Sequence, residues 1–347
     1  MKKRLYSLDF MKYCMMIFVI FHHFQQLTDT DFPGIDFYYG ALDLSPLVDG
    51  FFILSGFTAI YGLDKLKRTS FYDYMKKKII RLYPMAMIAV TVNLILDYLY
   101  YKTYGVWFSE PGLWKIFNSY LLTFQGGPVA GISFAINPPT WYICVLLICY
   151  CLLYFLVQLS DRLGVDVKIL LAVVMFIGVG GYMYGFNLPF LTSETSRGYT
   201  GFFWGMLLSY WYTKMGRNKG FFAFSAALFA GIVAAGIKDI TLYYDNEWGI
   251  AVFMLWPALI YVLIFLNDLF RAKIFGVLGC AVYEMYIWHV AGLLVMMIIN
   301  GNFGFPGVYT KPVMVGFTAL MTLAGIALYY LAEKPLTERL MKRNFPA

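Results

Sequence analysis

Apolar runs of roughly 20 residues, the length that crosses a bilayer as a helix, recur from one end of this chain to the other. No other feature limits the possible folds as strongly. Ten can be placed, at about 10–27, 41–63, 84–101, 139–159, 169–186, 199–213, 221–237, 250–267, 274–298 and 313–332. Only 14% of the residues are charged and 61% are hydrophobic, whereas a soluble domain carries about 25% charged residues. The reading is an all-α, polytopic membrane protein forming a single domain over residues 1–347. The segment 112–125, "GLWKIFNSYLLTFQ", is amphipathic and too short to span, and is expected to lie at the interface or to re-enter.

Lys and Arg concentrate in cytoplasmic loops, so their placement orients the chain. With the N-terminus inside and about ten spans, Lys102, Lys115, Arg197, Lys238 and Lys311 alone face outward, and nearly all the rest of the 27 Lys and Arg lie inside. Both termini are therefore expected in the cytoplasm, and the protein is expected to be a multi-pass component of the plasma membrane. That bias also explains the net charge of +7 without any nucleic-acid partner. The five cysteines lie within the spans, with no disulfide or metal-ligand spacing, so no metal is expected. The basic residues before the first span resemble the start of a signal peptide, but no cleavage site follows, and the segment is expected to remain as an anchor.

The first span, "LDFMKYCMMIFVIFHHF", carries three titratable side chains, Lys12, His22 and His23. Such groups are expensive in a bilayer, and function is their usual explanation. Eleven steps at ~100° and ~1.5 Å each leave His23 about 20° from the azimuth of Lys12 and roughly 16 Å along the axis, while His22 points elsewhere. Lys12 then sits near the inner boundary and His23 deeper. In the second span, "SPLVDGFFILSGFTAIYGL", Asp49 falls near the depth of His23 and is a candidate to polarise it. Ser55 and Gly56 lie nearer the inside. The inner loop ends "YMKKKIIRLYP", in which Lys78 and Arg81 share a helical face and suit phosphate; Pro84 is expected to open the next span.

Together these residues resemble the pattern of acyltransferase family 3. That family places a basic residue, ten residues and a histidine in its first span, as in Lys12 and His23. It has a "VDxFFxxSGF" second span, matched by "VDGFFILSGF" at 48–57, and a basic-x-x-Arg pair before proline, matched by Lys78, Arg81 and Pro84. "YEMYIWH", ending at His289, resembles its Tyr-Leu-x-His helix, and "EKP" at 333–335 its closing motif. Where the family often has Arg-Gly this chain has Lys12-Tyr13, and the Glu that many members carry five residues after a Trp is Leu146, after Trp141.

The resemblance implies transfer of an acyl group, usually acetyl, from cytoplasmic acyl-CoA to a hydroxyl of a cell-surface glycan or its lipid-linked precursor. The acyl-CoA acts as donor substrate, with no resident cofactor. His23 and Asp49 would be catalytic, and Lys12, Lys78, Arg81, Ser55 and Gly56 would hold the donor. Glu284 and His289 would support the site from the ninth span, and Trp141 and Arg197 would meet the acceptor on the outer side. Membrane lipids and, in a homo-oligomer, further copies of the chain complete the expected partners. The competing reading is an exporter of a polar or lipid-linked solute, which ten spans with central polar residues also suit.

Overall fold

The computed structural model describes residues 4–32, 37–38, 44–127, 135–237, 247–305 and 307–345. Among these it is all-helical, with 82% helix and no strands. The helices are α1 (Tyr6–Thr28), α2 (Leu47–Leu66), α3 (Phe71–Tyr104), α4 (Leu113–Leu121), α5 (Pro138–Leu163), α6 (Val167–Met183), α7 (Ser193–Met215), α8 (Lys219–Ile237), α9 (Glu247–Phe265), α10 (Lys273–Phe303) and α11 (Lys311–Asn344). Seven of them, α2, α3, α5 and α8–α11, are long and apolar enough to cross a membrane. Three further apolar stretches of the sequence lie on α1, α6 and α7, which fall short of that measure in length or apolarity. The chain is a multi-pass membrane protein.

Local chemistry sets several boundaries. Ser70 caps α3, its Oγ accepting from the Asp73 N–H at 3.1 Å, and Thr192 and Thr195 form a reciprocal capping box at the start of α7. Pro84 does not open a span: α3 runs through it for 34 residues. At ~1.5 Å per residue that is about 50 Å, against a hydrocarbon core of about 30 Å. The extra length is the basic segment carrying Lys76, Lys77, Lys78 and Arg81, so the expected loop is the polar end of a long helix. The amphipathic segment after α3 forms only the short α4.

Packing centres on two contacts. Helix α10 is surrounded by α1, α3 and α11. Helix α2 lies directly on α7, and glycine makes this possible: a Cβ on Gly56 would sit 1.8 Å from the Phe202 carbonyl oxygen, and one on Gly205 would sit 2.0 Å from that of Ile53. No side chain fits between the two backbones. Gly56 therefore serves helix packing on the face toward α7. Helices α9 and α11 each contain a π-helical turn, Ala251–Leu255 and Tyr329–Glu333, and such turns often accompany functional sites.

Candidate active site

Helix α1 sends its two adjacent histidines to different neighbours. His22 Nδ1 lies 3.1 Å from the Phe37 carbonyl oxygen. His23 Nδ1 lies 2.8 Å from His289 Nε2 on α10, the rings stacked with centroids 4.9 Å apart. His289 is fully buried, and its Nδ1 contacts the carbonyl oxygens of Tyr286 at 2.7 Å and Met285 at 3.2 Å. A carbonyl oxygen only accepts, so the His289 proton is on Nδ1 and its neutral Nε2 is an acceptor. His23 Nδ1–H must then donate to it, which leaves the lone pair of His23 on Nε2. Two backbone carbonyls thus set the tautomer of a histidine one ring away, and its free nitrogen has the form required of a base or nucleophile.

A cavity of about 510 Å³ opens between α1, α2, α3, α5 and α10. Lys12, Lys65, Lys77, Lys78 and Arg81 line it, and among the described residues neither Lys12 nor Arg81 forms a salt bridge. The Lys78 ammonium stands 3.9 Å from the centroid of the Tyr150 ring, a cation–π contact. Toward the other end the wall turns aromatic, with Phe51, Tyr142 and Tyr286. There Ser55 Oγ is 2.9 Å from the Tyr142 hydroxyl, which donates to the Phe51 carbonyl oxygen at 3.2 Å. Tyr286 donates from its hydroxyl to the Pro139 carbonyl oxygen at 2.6 Å. On α10 the lining residues Gly279, Val282, Tyr283 and Tyr286 form one helical stripe, and His289 continues it by one turn, about 4.5 Å further along the axis. The cationic cavity and the imidazole pair therefore lie along one line, with Tyr286 in both.

The structure brings Lys12, Ser55, Lys78 and Arg81 together around the cavity and joins His23 to His289. Asp49 and Arg197 it places elsewhere. Asp49 is fully buried and accepts from Arg197 Nε at 3.2 Å and Nη2 at 2.7 Å, and from Trp248 Nε1 at 3.4 Å. It is the partner of a guanidinium and not of the His23 imidazole. Arg197 in turn is not a solvated loop charge: it lies within α7, donates also to the Ser45 carbonyl oxygen at 2.6 Å, and sits 5.6 Å over the Trp141 ring. Its Nε, its Nη2 and the face of its guanidinium take part in a clamp that ties α2, α5 and α7 together, which gives Arg197 and Trp141 a structural use beside the acceptor role expected of them. Glu284 is fully buried beside Trp288, whose Nε1 donates to it at 2.9 Å, and it does not contact the cavity.

Tyr142, Tyr150 and Tyr286 were not singled out from the sequence. In a chain with 29 tyrosines the only local signal is adjacency: Tyr142 follows Trp141, and Tyr286 precedes His289 by one turn. Leu146 is a buried residue of the cavity wall.

An all-helical membrane protein with a cationic cavity and, one helical turn past its wall, a hydrogen-bonded imidazole pair has the groups a membrane-embedded group-transfer enzyme needs. The chain belongs to acyltransferase family 3: residues 5–331 of its 347 match the family's acyltransferase domain. No curated protein and no solved structure matches it. Membership makes it a transferase of the membrane acyltransferase class.

Proposed function

We propose that the protein is a plasma-membrane O-acyltransferase that moves an acyl group, acetyl in the first instance, from cytoplasmic acyl-CoA to a hydroxyl of a cell-surface glycan or lipid-linked precursor. The observation that carries this reading is the hydrogen bond of 2.8 Å between His23 and His289, one helical turn past Tyr286 in the wall of a cavity lined by Lys12, Lys78 and Arg81. In the proposed topology ten helices cross the bilayer with both termini inside, which sets the mouth of the cavity in the cytosol.

The donor's phosphates pair with Lys12, Lys78 and Arg81, and the pantetheine arm runs along the wall of Ser55, Tyr142 and Tyr286 toward His23. Two balanced routes use the same pair. In the first, His23 Nε2 takes the acceptor's hydroxyl proton as its oxygen attacks the thioester carbon; the C–S bond breaks, and the proton passes from Nε2 to the departing thiolate. In the second, Nε2 itself attacks, forming an acyl-imidazole. The C–S bond breaks, the proton shared between His23 Nδ1 and His289 Nε2 neutralises the departing thiolate, and the acceptor hydroxyl later attacks the acyl carbon and returns its proton to His23 Nδ1. In both routes His289 acts through His23 as a positioning residue.

Purified protein given acetyl-CoA labelled in the acetyl group is expected to bind it and to release free coenzyme A, and membranes are expected to gain labelled glycan or lipid. Mass spectrometry of surface glycans and lipids from cells with and without the gene then identifies the acceptor. Absence of both binding and release by folded protein would sink this reading in favour of export.

A further inference from the structure

Behind the cavity wall, away from the imidazole pair, two carboxyl groups meet. Glu284 on α10 is fully buried, and Glu333, the last residue of the π turn in α11, is 7% exposed. Their side chains are in hydrogen-bonding contact with each other. Glu284 Oε2 accepts from Trp288, but Glu284 Oε1 and Glu333 Oε2 meet no N–H or O–H donor from another residue. Two ionised carboxylates cannot share such a site, because each only accepts and like charges in contact repel strongly. One proton between them satisfies both.

We propose that Glu284 and Glu333 hold one proton between them and act as a single anionic unit that positions Arg81 for the donor's phosphates. Helix α3 packs against the π turn that ends in Glu333, Tyr283 beside Glu284 donates to the carbonyl oxygen of Leu82 next to Arg81, and Arg81 lines the cavity. The other titratable groups facing the pair are Tyr283 on α10 and Tyr329 on the π turn. Tyr283 is tied down, its hydroxyl donating to the Leu82 carbonyl oxygen, and neither phenol carries charge near neutrality. With one proton the pair has a single negative charge, enough to orient the guanidinium and leave it available to phosphate. Loss of that proton at alkaline pH doubles the charge and draws Arg81 away from the cavity. Donor binding is then strongest where the proton is held and falls as it leaves. This last step rests on the donor reading above; the shared proton does not.

The test uses the full-length protein in detergent, with wild type, Glu284→Gln, Glu333→Gln and the double variant, each checked for folding by thermal melting. Infrared titration in heavy water reads the proton directly. At neutral pH the wild type is expected to show the C=O stretch of one protonated carboxyl that the double variant lacks. Each single variant is expected to lose it too, because the remaining carboxylate ionises beside the new amide and Arg81. Coenzyme A binding, measured from about pH 6 to about pH 9, is expected to weaken at least tenfold in the wild type and to stay within about threefold in either single variant. If the wild type shows no protonated band, or both single variants keep it, the shared proton is wrong. If the band behaves as expected but the single variants keep the wild-type pH slope, the link to Arg81 is wrong. If coenzyme A fails to bind even to wild type while the band behaves as expected, the donor reading is what fails.

Discussion

His23 Nδ1 and His289 Nε2, 266 residues apart in the chain, stand 2.8 Å from each other, and the carbonyl oxygens of Met285 and Tyr286 decide which of the four ring nitrogens is left with a lone pair for chemistry. A transferase needs an unprotonated imidazole nitrogen facing its substrates, and this arrangement leaves one on His23 Nε2.

His23→Ala is expected to lower acyl transfer by 10²–10⁴-fold, the usual worth of a proton-transfer group, while coenzyme A binding persists. His22→Ala, whose ring contacts Phe37, is expected to keep substantial activity. Equal loss in both variants would mean that the active nitrogen is not on His23.

His289 acts by accepting from His23, so a replacement that still accepts is expected to do better than one that cannot. His289→Gln is expected to retain at least about tenfold more activity than His289→Ala, with the loss in kcat and little change in KM for the donor. A change confined to KM would show that His289 shapes the donor pocket instead.

Arg81→Ala removes a charge-assisted and potentially bidentate phosphate contact worth roughly 1.5–3 kcal/mol. Donor affinity is expected to weaken by about tenfold to a hundredfold, with melting temperature unchanged. Unaltered affinity would assign Arg81 to lipid headgroups.

Asp49 and Arg197 form an ion pair with side-chain exposures of 0% and 16%. Breaking one side leaves the other uncompensated, at a cost of roughly 3–5 kcal/mol for a buried pair. Asp49→Ala and Arg197→Ala are each expected to reduce melting temperature and yield sharply, and the double variant to be more stable than the sum of the two. Full stability with lost transfer in either single variant would return the residue to the chemistry.

Cysteine labelling from outside intact cells, applied to a residue-70 cysteine in a variant otherwise lacking cysteine, is expected to fail, because residue 70 heads the cytoplasmic end of α3 in the proposed topology. Labelling there would invert it.

What the sequence could express is what a single helix determines. Apolar length marks α3 and α10 without reference to any neighbour, and the 3.6-residue period alone puts Lys12 and His23 on one face while turning His22 aside. Pairings between helices leave no such trace. Nothing local distinguishes an Asp49 that meets His23 from one that meets Arg197, since both partners lie far off in the chain and the choice depends on α2 lying against α7. The clue available was Gly56 itself: a glycine in an apolar helix suits a close backbone approach as well as a ligand, and only the Phe202 carbonyl beneath it reveals the approach. Pro84 carries the opposite ambiguity: proline commonly begins a helix, but the Ser70 cap and the helix-forming lysines before it start α3 earlier and carry it through.

The Asp49–Arg197 clamp also bears on how the protein is made. Asp49 leaves the ribosome 148 residues ahead of its partner, an interval of roughly 7 to 30 s at elongation rates of about 5–20 residues per second. A lone carboxylate costs up to about 2.5–3.5 kcal/mol at the centre of an inserting helix and less toward its end; Asp49 lies in the first turn of α2, so α2 enters lipid carrying a smaller debt that the arrival of α7 cancels. Between those two moments the nascent chain has an incentive to keep α2 beside the insertion machinery or another polar helix, and assembly of the bundle has a built-in order: the early hairpins wait, and the seventh helix locks them.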